Sequence, residues 1–287
     1  MKTALLMVIL TGLLMATGYI IGMVVGIDPF IMVTIAFALA MTLNLVSYWY
    51  SDRIVLKMYG ADTVSENVAP ELYSMISQLA QKAGLPTPKI AIINNETPNA
   101  FATGRNPENA VVAVTSGALS LLRREELEAV LAHELGHIKN RDMFISTVAA
   151  VLAGTIGYLG FMGRMMLWTR GSRRDSGSAQ LVGVVLLAVF IPLAVLLIRL
   201  AISRNREYQA DESGAVISGN PNALADALIR IEDVVKRKPL KQGSPATAHL
   251  FIVNPFKADS LIQLLSTHPA TASRVKKLRE MARTPYR

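Results

Sequence analysis

Residues 124–140 read REELEAVLAHELGHIKN, and the fold and the chemistry both turn on this stretch. Leu127, Val130, Leu131, Leu135 and Ile138 recur at helical spacing, with Glu125 and Glu126 at the start and Lys139 and Arg141 at the end, where each sign suits the helix dipole. The spacing predicts a helix over 124–140. On that helix His133 and His137 are four residues apart and share a face, so both imidazoles can reach one ion. Glu134, offset by one position, stands beside that ion as a general base. These are the parts that metal-assisted peptide hydrolysis requires.

The chain has no cysteine, so a thiolate site, a disulfide framework and a cysteine nucleophile are all excluded, and any metal must be held by nitrogen and oxygen. A catalytic zinc takes three protein ligands and keeps one open position. Residues 205–211, NREYQAD, carry Glu207 and Asp211 four apart on one helical face. That spacing suits Glu207 as the third ligand and Asp211 as a carboxylate partner to a ligand histidine. It equally suits a solvated helix face among Arg204 and Arg206.

Outward from these segments the chain alternates between soluble and apolar character. Of its residues 52% are hydrophobic and 17% charged, against about a quarter charged in soluble domains. Residues 3–27 and 29–50 carry no charge, and each run is long enough to cross ~30 Å of hydrocarbon as a helix. A cleavable signal has a core of only ~7 to 15 apolar residues, which favours an uncleaved hairpin over 3–50, with Gly18, Gly22 and Gly26 on one face of its first helix. Two further uncharged runs, 143–163 and 176–198, flank a loop at 164–175 that holds Arg164, Arg170, Arg173 and Arg174. The net charge of +8 is assigned to lipid head groups and cytoplasmic loops rather than to nucleic acid.

The expected architecture is therefore a mainly α membrane protein with four transmembrane helices and an α+β catalytic domain assembled from two soluble segments. Its parts are the hairpin at 3–50, a soluble segment at 51–142, a second helical pair at 143–198 and a soluble segment at 199–287. Within the soluble parts, 68–82 has helical periodicity, 89–93 and 110–114 are β-branched runs that predict strands, and helices are expected through Glu207, after Asn220-Pro221 and near the basic C-terminus. His137 and Glu207 can meet only if an even number of crossings separates them, and two uncharged runs do. Four arginines between those runs conflict with a loop placed outside the cytoplasm, so a re-entrant pair is a second arrangement.

Taken together, His133-Glu-x-x-His137, Glu207-x-x-x-Asp211 after a pair of apolar runs, Asn99-Ala100-Phe101-Ala102-Thr103-Gly104, and Ser266-Thr267-His268-Pro269 resemble the HtpX group of M48 zinc peptidases. The resemblance covers nearly the whole chain. It implies a zincin-like catalytic domain holding one Zn2+, with Glu207 completing the site, in the cytoplasmic (inner) membrane of a bacterium or archaeon. It also implies a catalytic domain facing the cytosol and polypeptide substrates drawn from damaged membrane proteins. Asn99, Ala100, Phe101 and Ala102 would lie beside the substrate. His268 would donate to the oxyanion with Arg274 as supporting charge, although a His-Pro before a helix also fits a capping or packing role, and 99–104 an ordinary strand end. His249 is expected on the surface.

Two rivals remain from other classes. A di-iron helical bundle needs a second Glu-x-x-His pair, and the residues three before His249 and His268 are Ala246 and Leu265. A noncatalytic membrane scaffold with a structural zinc would have no use for Glu134 in the general-base position.

Overall fold

The computed structural model describes residues 2–144, 148, 184, 204–238, 250–253 and 269–283. Most of the two later apolar runs, the arginine-rich loop, His249 and His268 lie outside the described residues. Two helices are long and apolar enough to cross a membrane, within α1 (Lys2–Val25) and α2 (Pro29–Met58). Their apolar windows are only 24% and 17% buried, unlike core helices of a soluble domain.

The hairpin is close because its first helix is small where it meets the second. A Cβ on Gly18 would come within 2.7 Å of Ala36 Cβ, and one on Gly22 within 2.8 Å of Pro29 Cα. Gly26, expected on the same face, instead takes φ 77° in the turn. Asp28 then caps α2, its carboxylate accepting from Phe30 N at 2.7 Å. The second helix does not stop at the end of the apolar run: it continues to Met58, eight residues beyond Tyr50.

A four-stranded sheet follows, in the order β1 (Ala61–Val64), β2 (Lys89–Ile93), β4 (Val111–Thr115), β3 (Ala100–Thr103). The β2–β4 pair is parallel, the two outer pairings are antiparallel, and β3 is an edge. The strands at 89–93 and 111–115 match their β-branched runs almost residue for residue, whereas β1 has no such run in ADTV and was not expected. Side chains alternate cleanly. Ile90, Val112, Val114, Ala100 and Ala102 face one layer of helices, and Ala91, Ile93, Val111, Ala113 and Phe101 face the end of α2 through Val55 and Leu56.

The helical layer comprises α3 (Pro70–Ala83), α5 (Arg124–Lys139), α6 (Arg204–Ser218), α7 (Pro221–Arg237) and α8 (Thr271–Arg283), with a short α4 (Ser116–Leu121) after β4. Gly84 ends α3 with φ 70°, and Asn220 caps α7 by accepting from Ala223 N at 3.0 Å. Two glycines fix how closely α5 and α6 approach. A Cβ on Gly214 would lie 2.8 Å from the His133 backbone, and one on Gly136 would lie 3.0 Å from Ala210 O. That approach brings α6 against the metal-motif face of α5.

Candidate metal centre

The start of α5 is held by Glu126, which accepts from Arg123 N at 2.9 Å and from Arg230 Nη2 at 3.0 Å. At its other end Arg141 takes φ 56°, a left-handed conformation that L residues adopt at a cost. This reversal aims Asp142 back at the helix. Its carboxylate oxygens lie 3.0 and 3.1 Å from His137 Nδ1.

His133 has the matching arrangement with a carboxylate from α6. Its Nδ1 is 3.0 Å from Asp211 Oδ1, close but out of line for a hydrogen bond. With both Nδ1 atoms facing carboxylates, both Nε2 atoms face Glu207, at 3.9 Å from His133 and 3.8 Å from His137, and Arg274 Nη2 also lies 3.4 Å from His133 Nε2. One ligand atom from each of His133, His137 and Glu207 lies within 4.8 Å of the others. Two imidazoles and a carboxylate, each imidazole backed by an acid, are a donor set that fits a zinc ion with an open position.

Arg274 is buried at 1% exposure and clamps Asp211 through two bonds, Nε to Oδ2 at 2.8 Å and Nη2 to Oδ1 at 2.6 Å. Its Nη1 also donates to Ile252 O at 3.0 Å and lies 3.6 Å from Glu207 Oε2. Burial alone would raise Asp211, but Arg274 and His133 outweigh it and hold the carboxyl down at about 2. On the other side, burial depresses the Arg206 guanidinium, and Asp142 and Glu207 beside it partly offset that. Each ligand histidine thus has an acid behind it and a guanidinium in that acid's field, Asp211 and Arg274 for His133 and Asp142 and Arg206 for His137.

Glu134 is buried between the ligands and the sheet, and its Oε2 accepts from Ala102 N at 2.9 Å. Burial pushes its pKa up, more than the neighbouring His133 and His137 pull it down. Ala102 directs that N–H away from β4, across the edge of the sheet, which pairs with no further strand among the described residues, so the general-base position and that edge share one cleft. Phe101, Met143, Leu250, Phe251 and Ile252 line its walls.

The side chain of Asn99 is buried and bonded within the chain: its Nδ2 donates to Leu250 O at 3.3 Å and its Oδ1 accepts from Ile252 N at 3.1 Å. Asn99 therefore pins the 250–253 segment over the cleft as a strand neighbour would. Arg274 supports Asp211, while its proposed companion His268 lies outside the described residues. Two elements were missed. The run Leu250-Phe-Ile-Val253 has the apolar character of a short strand, and Asp142 is an acid five residues after the second histidine at a helix end, where a partner for that histidine was worth seeking.

With this geometry in place, the sequence matches the family model "Peptidase family M48" over residues 66–282. The chain belongs to peptidase family M48. It is 54% identical over 285 residues to a protease HtpX homolog of Thermococcus sibiricus, covering 98% of this chain and 96% of that one. It is 48% identical over 277 residues to a protease HtpX homolog of Aquifex aeolicus, covering 95% and 89%. The crystal structure of S. mikatae Ste24p is similar in fold, with TM-score 0.51 at 19% identity; the match covers 96% of this chain and 64% of that one. The HtpX-like resemblance read from the motifs holds, and this M48 peptidase is a metallopeptidase with membrane-type helices.

Proposed function

We propose that this M48 peptidase is a zinc-dependent endopeptidase that cuts misfolded or damaged membrane proteins at the cytosolic face of a bacterial or archaeal inner membrane, as part of protein quality control under stress. The observation that carries this is the convergence of His133, His137 and Glu207 with Glu134 at the edge of β3. In this reading 143–163 and 176–198 cross the bilayer and return Glu207 to the side of His137.

An extended polypeptide adds to β3 beside Asn99 to Ala102, its backbone satisfied by ladder bonds and its side chains loosely selected. When bound, zinc supplies the Lewis acidity that polarises the scissile carbonyl and makes a water acidic at neutral pH. Glu134 takes the proton from that water and returns it to the leaving amine. His268 is assigned to the developing oxyanion. The deciding experiment is digestion of an unfolded membrane protein by the purified chain, abolished by chelation and restored by zinc. No digestion at one zinc per chain would favour the scaffold with a structural metal.

Two further outcomes follow from the ligand supports. Asp142→Ala should weaken zinc binding roughly 10- to 100-fold by freeing the His137 ring, measured by competition with a chromophoric chelator. Unchanged affinity would remove Asp142 from the centre. Affinity should also depend on pH. Burial opposes charge on His137, yet Asp142, Glu207 and Glu134 together hold its pKa up at about 10 in the metal-free chain. Metal binding must therefore displace a proton, so apparent zinc affinity should rise about tenfold per pH unit from pH 6 to 9. A flat profile would contradict a protonated His137 in the empty site.

A further inference from the structure

The cleft is tied to α2 at three places. The apolar part of α2, Pro29–Tyr50, has 22 residues, about 33 Å of helix, which matches the hydrocarbon thickness. It ends in Tyr48, Trp49 and Tyr50, exposed by 44%, 53% and 49%, the ring types that settle at the membrane–water boundary. The helix then runs on without a break, and Val55 and Leu56 are buried under the sheet against Ala91, Phe101 and Ala113. No linker intervenes between the membrane helix and the catalytic fold.

The other two ties reach the same pair of rings from the two walls of the cleft. Arg105 lies over Trp49, its guanidinium carbon 4.7 Å from the ring centroid, and Arg105 is three residues from Ala102, whose N–H holds Glu134. Phe144 meets Tyr48 edge-on, centroids 5.5 Å apart at 83°. It directly follows Met143, which lines the cleft, and Asp142, which holds His137. Three residues of chain span at most ~10 Å, so Ala102, whose N–H holds the general base, stands within ~10 Å of a residue seated on the aromatic boundary.

Building on the peptidase reading above, we propose that the active site sits at a fixed, low height above the bilayer and selects substrates by distance. It cuts polypeptide within about three to six residues of the point where a membrane segment leaves the hydrocarbon, since an extended chain advances ~3.3 Å per residue. The preferred substrate is a juxtamembrane strand rather than a distant loop.

The test uses the zinc-loaded full chain in phosphatidylethanolamine/phosphatidylglycerol vesicles with single-span model substrates that carry one cleavable tract. A proline-rich spacer of 0, 4, 8 or 12 residues separates tract from span, at ~3.1 Å per residue, and a glycine/serine series of equal lengths serves as the flexible counterpart. Cleavage should fall at least tenfold between 0 and 12 stiff residues and stay within about threefold along the flexible series, whose chains fold back. Equal rates along the stiff series, or equal losses along both, overturn the height inference. The same tract as a free peptide separates the two levels. If neither the free tract nor any tethered substrate is cut, the peptidase reading fails; if either is cut while the stiff series is flat, only the height inference fails.

Discussion

Glu134→Gln is expected to abolish peptide hydrolysis, by at least ~10³-fold in kcat, while about one zinc per chain remains bound. The amide matches the carboxylate in shape, and its oxygen can still accept from Ala102 N, so the contact at 2.9 Å survives. None of the three ligands is touched. What disappears is the only buried carboxylate of the described cleft that lies beside the ligands without being a ligand or backing one. Burial already pushes the pKa of Glu134 upward, which brings it closer to the range where a carboxylate accepts a proton from water and then gives it up. Zinc content and turnover measured on one preparation decide the matter. Substantial turnover with full zinc occupancy would take Glu134 out of the mechanism, whereas loss of both zinc and turnover would show that the carboxylate shapes the ligand set.

Local patterns carried most of the described helices and strands and the three residues of the metal motif on α5. His133, Glu134 and His137 were readable because three residues on one helical turn need only the helix, and α5 spans Arg124–Lys139 almost as its periodicity required. Asn220-Pro221 and Gly84 marked helix ends through backbone conformations that few residues favour. Partners assembled from distant segments left weaker traces. Asp142 acts through a reversal at Arg141 that a basic residue does not announce. Asn99 bonds to a backbone about 150 residues away, and its amide could as well have met a substrate. Arg274 was expected as a supporting charge for His268, and nothing in the basic helix SRVKKLRE announced its burial against Asp211. The extension of α2 beyond Tyr50 was hidden because Asp52 and Arg53 end the apolar run without ending the helix.

Arg274→Met is expected to destabilise the zinc-free chain by ~3–5 kcal/mol, the cost of leaving a buried ion without its partner. Methionine fills similar space, so the loss is of charge and of five potential donors rather than of volume. In the native chain the guanidinium makes two bonds to Asp211, holds Ile252 O and lies 3.6 Å from Glu207. Without it two buried carboxylates face each other's field uncompensated. Zinc should repair part of this by neutralising Glu207, so the melting-temperature gap between zinc-loaded and zinc-free protein should widen in the variant. Arg274→Lys should fall between the two, because one ammonium cannot span both oxygens of Asp211 and Ile252 O. The pH dependence has a definite sign. Asp211 is held down at about 2, below its ordinary 3.8, so the stabilisation is present above about pH 4 and is lost as pH falls through 2. Without Arg274 burial raises Asp211 in the variant, and protonation at the lower pH relieves the unpaired charge, so the penalty of Arg274→Met should be larger at pH 8 than at pH 5. Thermal unfolding of detergent-solubilised wild type and variant, with and without zinc at both pH values, measures all of this. A zinc-free variant melting within a degree or two of wild type would show that Asp211 is stabilised by something other than Arg274.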